Sequence, residues 1–213
     1  MTNYEGRQQD LKKKLNRHLS KLTGQEKDYY QALSQEDLAE LKTVLSDINN
    51  VFTLKLTLVA TEWICESFGL SNVLKTEILK KIDAVKPNTN GFDILINELV
   101  CKIVAEVKCI FPSSNGNKYL AAQRNSILDD VIKLMNGKKQ LRDTSKFYKF
   151  LFLINVEQKT NFALETLLKS SRGRSDDIIR MNRHDIKINI ELLEHQNINQ
   201  LSTAKVYLKT LEI

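Results

Sequence analysis

The chain is poor in the residues that build several common kinds of site. Its 213 residues hold three cysteines, three histidines, two prolines and seven glycines. Cys65, Cys101 and Cys109 are odd in number and show no CxxC spacing, which argues against a disulfide framework or a zinc site. His18, His184 and His195 stand singly, so neither a histidine metal cluster nor a nucleophile–histidine pairing is spelled out. The Gly-x-x-x-x-Gly-Lys-Ser/Thr pattern is absent, which disfavours an ATP-driven motor or a nucleotide cofactor. The longest apolar run, near Phe150–Val156, is far too short to span a bilayer. The first residues carry charges without an apolar core of signal-peptide type, so a reducing cytoplasm is the expected compartment and no membrane role is expected. No internal repeat, low-complexity tract or clear linker stands out.

What remains is a globular composition, 42% hydrophobic and 27% charged. The net charge of +6, with a sequence pI near 9.1, leans toward a polyanionic partner without requiring one.

Residues 4–50 read as helical. Leu11, Leu15, Leu19 and Leu22 form an apolar stripe beside a basic run, Thr23-Gly24 ends that helix, and Ser34 caps a second with Leu38, Leu41 and Leu45 as its apolar stripe. Residues 53–69 predict a helix apolar nearly all round, interrupted by Glu62. Ser71–Val85 is a further amphipathic helix, stopped by Pro87, and residues 86–91 signal a turn. Two short strands follow in Asn90–Cys109, then a loop over Phe111–Lys118 and a helix over Lys118–Met135 with Leu120, Ile127, Val131 and Leu134 on one stripe, ended by Asn136-Gly137. Phe147–Val156 predicts a central strand and Asn161–Ser170 a short helix. Ser171–Arg174 is a basic loop, Ser175 and Asp176 cap another short helical piece, and Asp185–Leu193 alternates like a strand with one wet face. Residues 197–209 read as mixed, closing the chain in a helix or an edge strand. The predicted fold is α/β, a mixed central sheet flanked by helices with an α-helical N-terminal extension. It forms one domain over 1–213: extension 1–50, core 53–156 and C-terminal elements 157–213.

The chemistry concentrates in NGFDILINELVCKIVAEVKC. Residues two apart on a strand share a face, so Glu106 and Lys108 point one way and Ala105, Val107 and Cys109 the other. An acid and an amine within an otherwise apolar strand need a partner or a task. Asp93 on the preceding strand supplies a second carboxylate. Two carboxylates from adjacent strands can hold Mg²⁺ while leaving room for water and phosphate, and a lysine beside them can orient or deprotonate the attacking water.

Phe92-Asp93 followed by Ala105-Glu106-Val107-Lys108-Cys109 resembles the PD-(D/E)XK, restriction-endonuclease-like superfamily. The resemblance covers roughly residues 53–156, and the residue before Asp93 is Phe where the family often has Pro. It implies an α-β-β-β-α-β core with the 53–69 helix as its first helix. It also implies Asp93 and Glu106 as ligands of Mg²⁺ (Mn²⁺ able to substitute), Lys108 as the catalytic amine, and Glu62 near the metal. Gln123, on the sheet-facing stripe of the next helix, is a second accessory candidate. Asn115, Asn117 and Lys118 in the loop after the catalytic strand, with Arg172 and Arg174, carry donors suited to DNA. The expected activity is a Mg²⁺-dependent endonuclease on double-stranded DNA, a homodimeric type II restriction enzyme. A structure-selective repair or junction-resolving nuclease and a non-catalytic nucleic-acid-binding module are the alternatives.

Overall fold

A computed structural model describes residues 3–84, 91–113, 118–155, 159–169, 189–193 and 198–212. The chain divides into two compact units, Met1–Ile48 and Asn49–Ile213.

The first unit is helical. Helix α1 (Tyr4–Thr23) starts where Asn3 accepts a hydrogen bond from Gly6 N–H, and stops at Gly24, which adopts φ +71°. A one-turn helix α2 (Tyr29–Ala32) is tied back to α1 by Asn16, which donates to Asp28 and accepts from Tyr30 N–H.

Ser34 begins helix α3 (Gln35–Ser67), accepting from Asp37 N–H while Asp37 accepts from Ser34 N–H. The sequence predicted two helices here, with a break near residue 50. No glycine or proline lies between 35 and 67, so nothing stops the helix and it runs through. Helix α4 (Asn72–Asp83) follows, with Ser71 as its N-cap.

The second unit is built on a five-stranded mixed sheet in the order β1-β2-β3-β5-β4. Strands β1 (Ile94–Asn97) and β2 (Lys102–Lys108) pair antiparallel, and β2, β3 (Tyr148–Ile154), β5 (Val206–Leu211) and β4 (Ile190–Leu192) are parallel to their neighbours. Helix α5 (Ala121–Asn136) makes the crossover from β2 to β3, as a parallel connection requires, and α6 (Lys159–Lys169) follows β3. Asn136-Gly137 does end α5, and Phe147–Val156 does hold the central strand. The last strand is not an edge: β5 lies between β3 and β4, with Tyr207 and Leu208 buried.

The sheet is covered on both faces. Ile94, Ile103, Ala105, Val107, Phe150 and Phe152 pack with Leu56, Ala60 and Ile64 of α3 and Ile78 of α4. Val104, Leu151, Leu153 and Leu208 pack with Ile127, Val131 and Leu134 of α5 and Leu164 of α6. The alternation along β2 therefore decides which helix layer each of its side chains meets. Among the described residues, two strands lie between α4 and α5, where the α-β-β-β-α-β order has three.

Candidate active site

The register of the β1–β2 pair places the two acids. Ile94 faces Ala105, and Asp93 immediately precedes β1, close enough to Glu106 for its charge to act on that carboxyl. Asp93 is half-buried, and its Oδ2 accepts a hydrogen bond from Val107 N–H at 2.8 Å. That bond holds the carboxylate against β2, where its charge acts on Glu106.

Glu106 lies on the α5 face and is 4% exposed. Burial, followed by the charge of Asp93, pushes its carboxyl up to about 8, while Lys138 pulls in the other direction. The Lys138 ammonium rests against Glu106 Oε1 as an ion pair, and this buried oxygen accepts no aligned hydrogen bond.

Lys108 shares that face at the carboxyl end of β2. Its Nζ donates to Ser126 Oγ at 2.8 Å and pairs with Asp130 Oδ2 at 2.9 Å, both on α5. Asp130 is 3% exposed and holds Lys133 as well, at 2.8 Å. Its position is legible in hindsight: Asp130 sits at i+3 from Ile127, on the apolar stripe of α5, where a charge stands out. Ser126, Asp130, Lys133 and Lys138 are site residues that the strand pattern alone did not reveal.

The other predicted residues fall in different places. Glu62 is exposed on α3, whose buried face (Leu56, Ala60, Ile64) packs on the opposite side of the sheet from Glu106. It lies near Lys75 and Cys65 and is not brought to Asp93. Its signal was misread. Lys55, Glu62 and Glu66 recur at i, i+7 and i+11, which marks the outer stripe of a one-sided helix. Gln123 uses both ends of its amide at the start of α5, accepting from Leu120 N–H at 2.8 Å and donating to Phe111 O at 2.7 Å. It fixes the entry of the helix to the segment after β2, and Leu120 is exposed there rather than facing the sheet. Lys118 is exposed, and its carbonyl accepts from Ser113 N–H at 3.0 Å. Asn115, Asn117, Arg172 and Arg174 lie outside the described residues.

The cysteines are free and buried, with each thiol pushed up by burial, which makes them poor nucleophiles. Among the described residues, no three His, Cys, Asp or Glu side chains gather as a metal-holding group. The Asp93–Glu106 pair nevertheless fits a hard cation. It offers oxygen donors only, and the buried one, Glu106 Oε1, already draws a positive charge, the Lys138 ammonium. Mg²⁺ is commonly held by one or two carboxylates, with water and phosphate completing its shell. No family model, curated protein or solved structure matches the chain. No helix among the described residues is long and apolar enough to cross a membrane.

Proposed function

We propose that the chain is a Mg²⁺-dependent DNA endonuclease with a restriction-endonuclease-like core, working as a homodimer on a specific double-stranded site. The observation that carries the reading is the Asp93 carboxylate, held by Val107 N–H of β2 with its charge acting on buried Glu106, and Lys108 two residues further along the strand. The site also sits at the carboxyl end of a parallel strand, where open α/β sheets place their ligands.

In this reading Asp93 and Glu106 hold the ion, which supplies charge neutralisation at the phosphate and a more acidic water. Val107 N–H orients Asp93, and the β2–β3 pairing fixes Glu106 in the sheet. Asp130 and Ser126 hold the Lys108 ammonium at the strand end, where it can orient the attacking water and offset developing negative charge. A two-fold dimer supplies two such centres for the two strands of a symmetric site. The net charge of +6 accords with a polyanionic substrate.

The test is digestion of plasmid and genomic DNA with Mg²⁺. Discrete fragments are expected. Smears or selective cutting of branched DNA would instead support a structure-selective nuclease, and binding without cutting would support a non-catalytic module.

A further inference from the structure

Of the three lysines around the acids, two are committed elsewhere. Lys108 and Lys133 both pair with Asp130. Lys138 is the one that meets Glu106. Its Nζ also donates to Gly91 O at 2.6 Å and lies 5.1 Å from the centre of the Phe92 ring. The ammonium thus meets Glu106 and the two residues before Asp93. Glu106 Oε1 and Gly91 O are hard oxygen donors of the kind a divalent cation uses, with the Asp93 carboxylate next to both.

The backbone builds this placement deliberately. Gly137 ends α5 with φ +83°, and a Cβ there would fall 2.4 Å from Arg142 O and 2.5 Å from Leu141 O. Beyond it, Lys138 and Leu141 exchange backbone hydrogen bonds at 2.9 and 3.0 Å. This tight turn carries the Lys138 side chain back across the end of α5 to β1. The side chain is 18% exposed, lying against Glu106, Gly91 O and the Phe92 ring.

We propose that Lys138 is the resident counter-cation of the Asp93–Glu106 pair, occupying the place of the divalent ion and setting the affinity with which that ion binds. The inference rests on the reading of these two acids as metal ligands. With the site empty of metal, Lys138 neutralises the buried carboxylate. Metal and ammonium compete for the same oxygens, so binding displaces Lys138 from Glu106 and releases its amine toward solvent.

Two measurements test this with Mn²⁺ and Mg²⁺ alone. By calorimetry, Lys138→Met should bind Mn²⁺ about tenfold tighter or more than wild type, a size typical of residues that act on ligands. Lys138→Arg, which keeps the cation, should stay near wild type, and Glu106→Gln should lose binding. The second measurement uses the wild-type protein and does not depend on a variant's folding. Reductive methylation read by mass spectrometry should label Lys138 several-fold faster with Mg²⁺ than with chelator, while Lys108 labelling stays constant. Wild-type Mn²⁺ affinity in Lys138→Met, or a Lys138 amine that stays protected in metal-loaded protein, would overturn the inference and leave the nuclease reading standing. Absence of Glu106-dependent metal binding in wild type would overturn both.

Discussion

Glu106 is held between opposing pulls: burial and the Asp93 charge favour the neutral acid, and Lys138 favours the carboxylate. The ordinary value near 4.5 applies to the unfolded chain, against about 8 in the folded one. Between these values the folded protein keeps a proton that the unfolded chain has lost. The stability this group contributes is therefore full below about 4.5, falls as pH rises to about 8, and is level above. In metal-free protein, urea unfolding at pH 5, 7 and 8.5 should show wild type losing stability relative to Glu106→Gln across that window. Parallel pH profiles would mean the carboxyl is not strained by its site. Metal affinity should run the other way and rise with pH, because the ligand form is the carboxylate. A second residue-scale prediction concerns Asp130, which anchors Lys108 from beneath. Asp130→Asn should lower cleavage by roughly 10²-fold while leaving Mn²⁺ affinity within a few-fold, since the amine is freed and the acids are not touched. Equal loss of both would place Asp130 among the metal ligands. The facing of Glu106 and Lys108 was legible because a strand alternates every residue. Lys138 was not, because Gly-Lys-Lys-Gln reads as any solvated turn, and only tertiary folding carries it to β1.

At the scale of elements, the site depends on three junctions: the start of β1, the end of β2 and the C-terminus of α5. The last is the most exposed to mutation. Gly137→Ala forces an L-residue into φ +83° and drives a methyl into two backbone carbonyls, so the turn must open. A loss of about 2–3 kcal/mol is expected from strain of this kind, read by chemical denaturation, together with a change in Mn²⁺ affinity as Lys138 shifts. Wild-type values of both would mean that the turn does not seat Lys138. The order of elements in the second unit was largely readable, since caps, breakers and strand patterns are local signals. Ser71 opens α4 and Gly137 closes α5 where the sequence placed them. Failures came where the deciding force was long-range. The closing segment reads as a helix or an edge strand because its own pattern, Val-Tyr-Leu-Lys-Thr-Leu, does not reveal that β4 pairs on its far side. The family resemblance offers Glu62 for the site, and its helix reads as apolar nearly all round, whereas one flank is solvent-facing and the buried face belongs to the other side of the sheet.

For the whole molecule, the central claim is that one sheet face joins two acids and an amine into a centre that cuts DNA. Removing the charge of Asp93 without removing its hydrogen-bond acceptor isolates that claim. In Asp93→Asn the side-chain oxygen can still accept from Val107 N–H, so stability should remain within about 1 kcal/mol of wild type. The decisive measurement is cleavage of supercoiled plasmid by wild type, Asp93→Asn and Lys108→Ala with Mg²⁺ and with chelator. The account predicts Mg²⁺-dependent discrete fragments from wild type and a loss of roughly 10²-fold or more in each folded variant, with DNA binding retained. Absence of metal-dependent cutting by wild type, or undiminished cutting by Asp93→Asn, would contradict it.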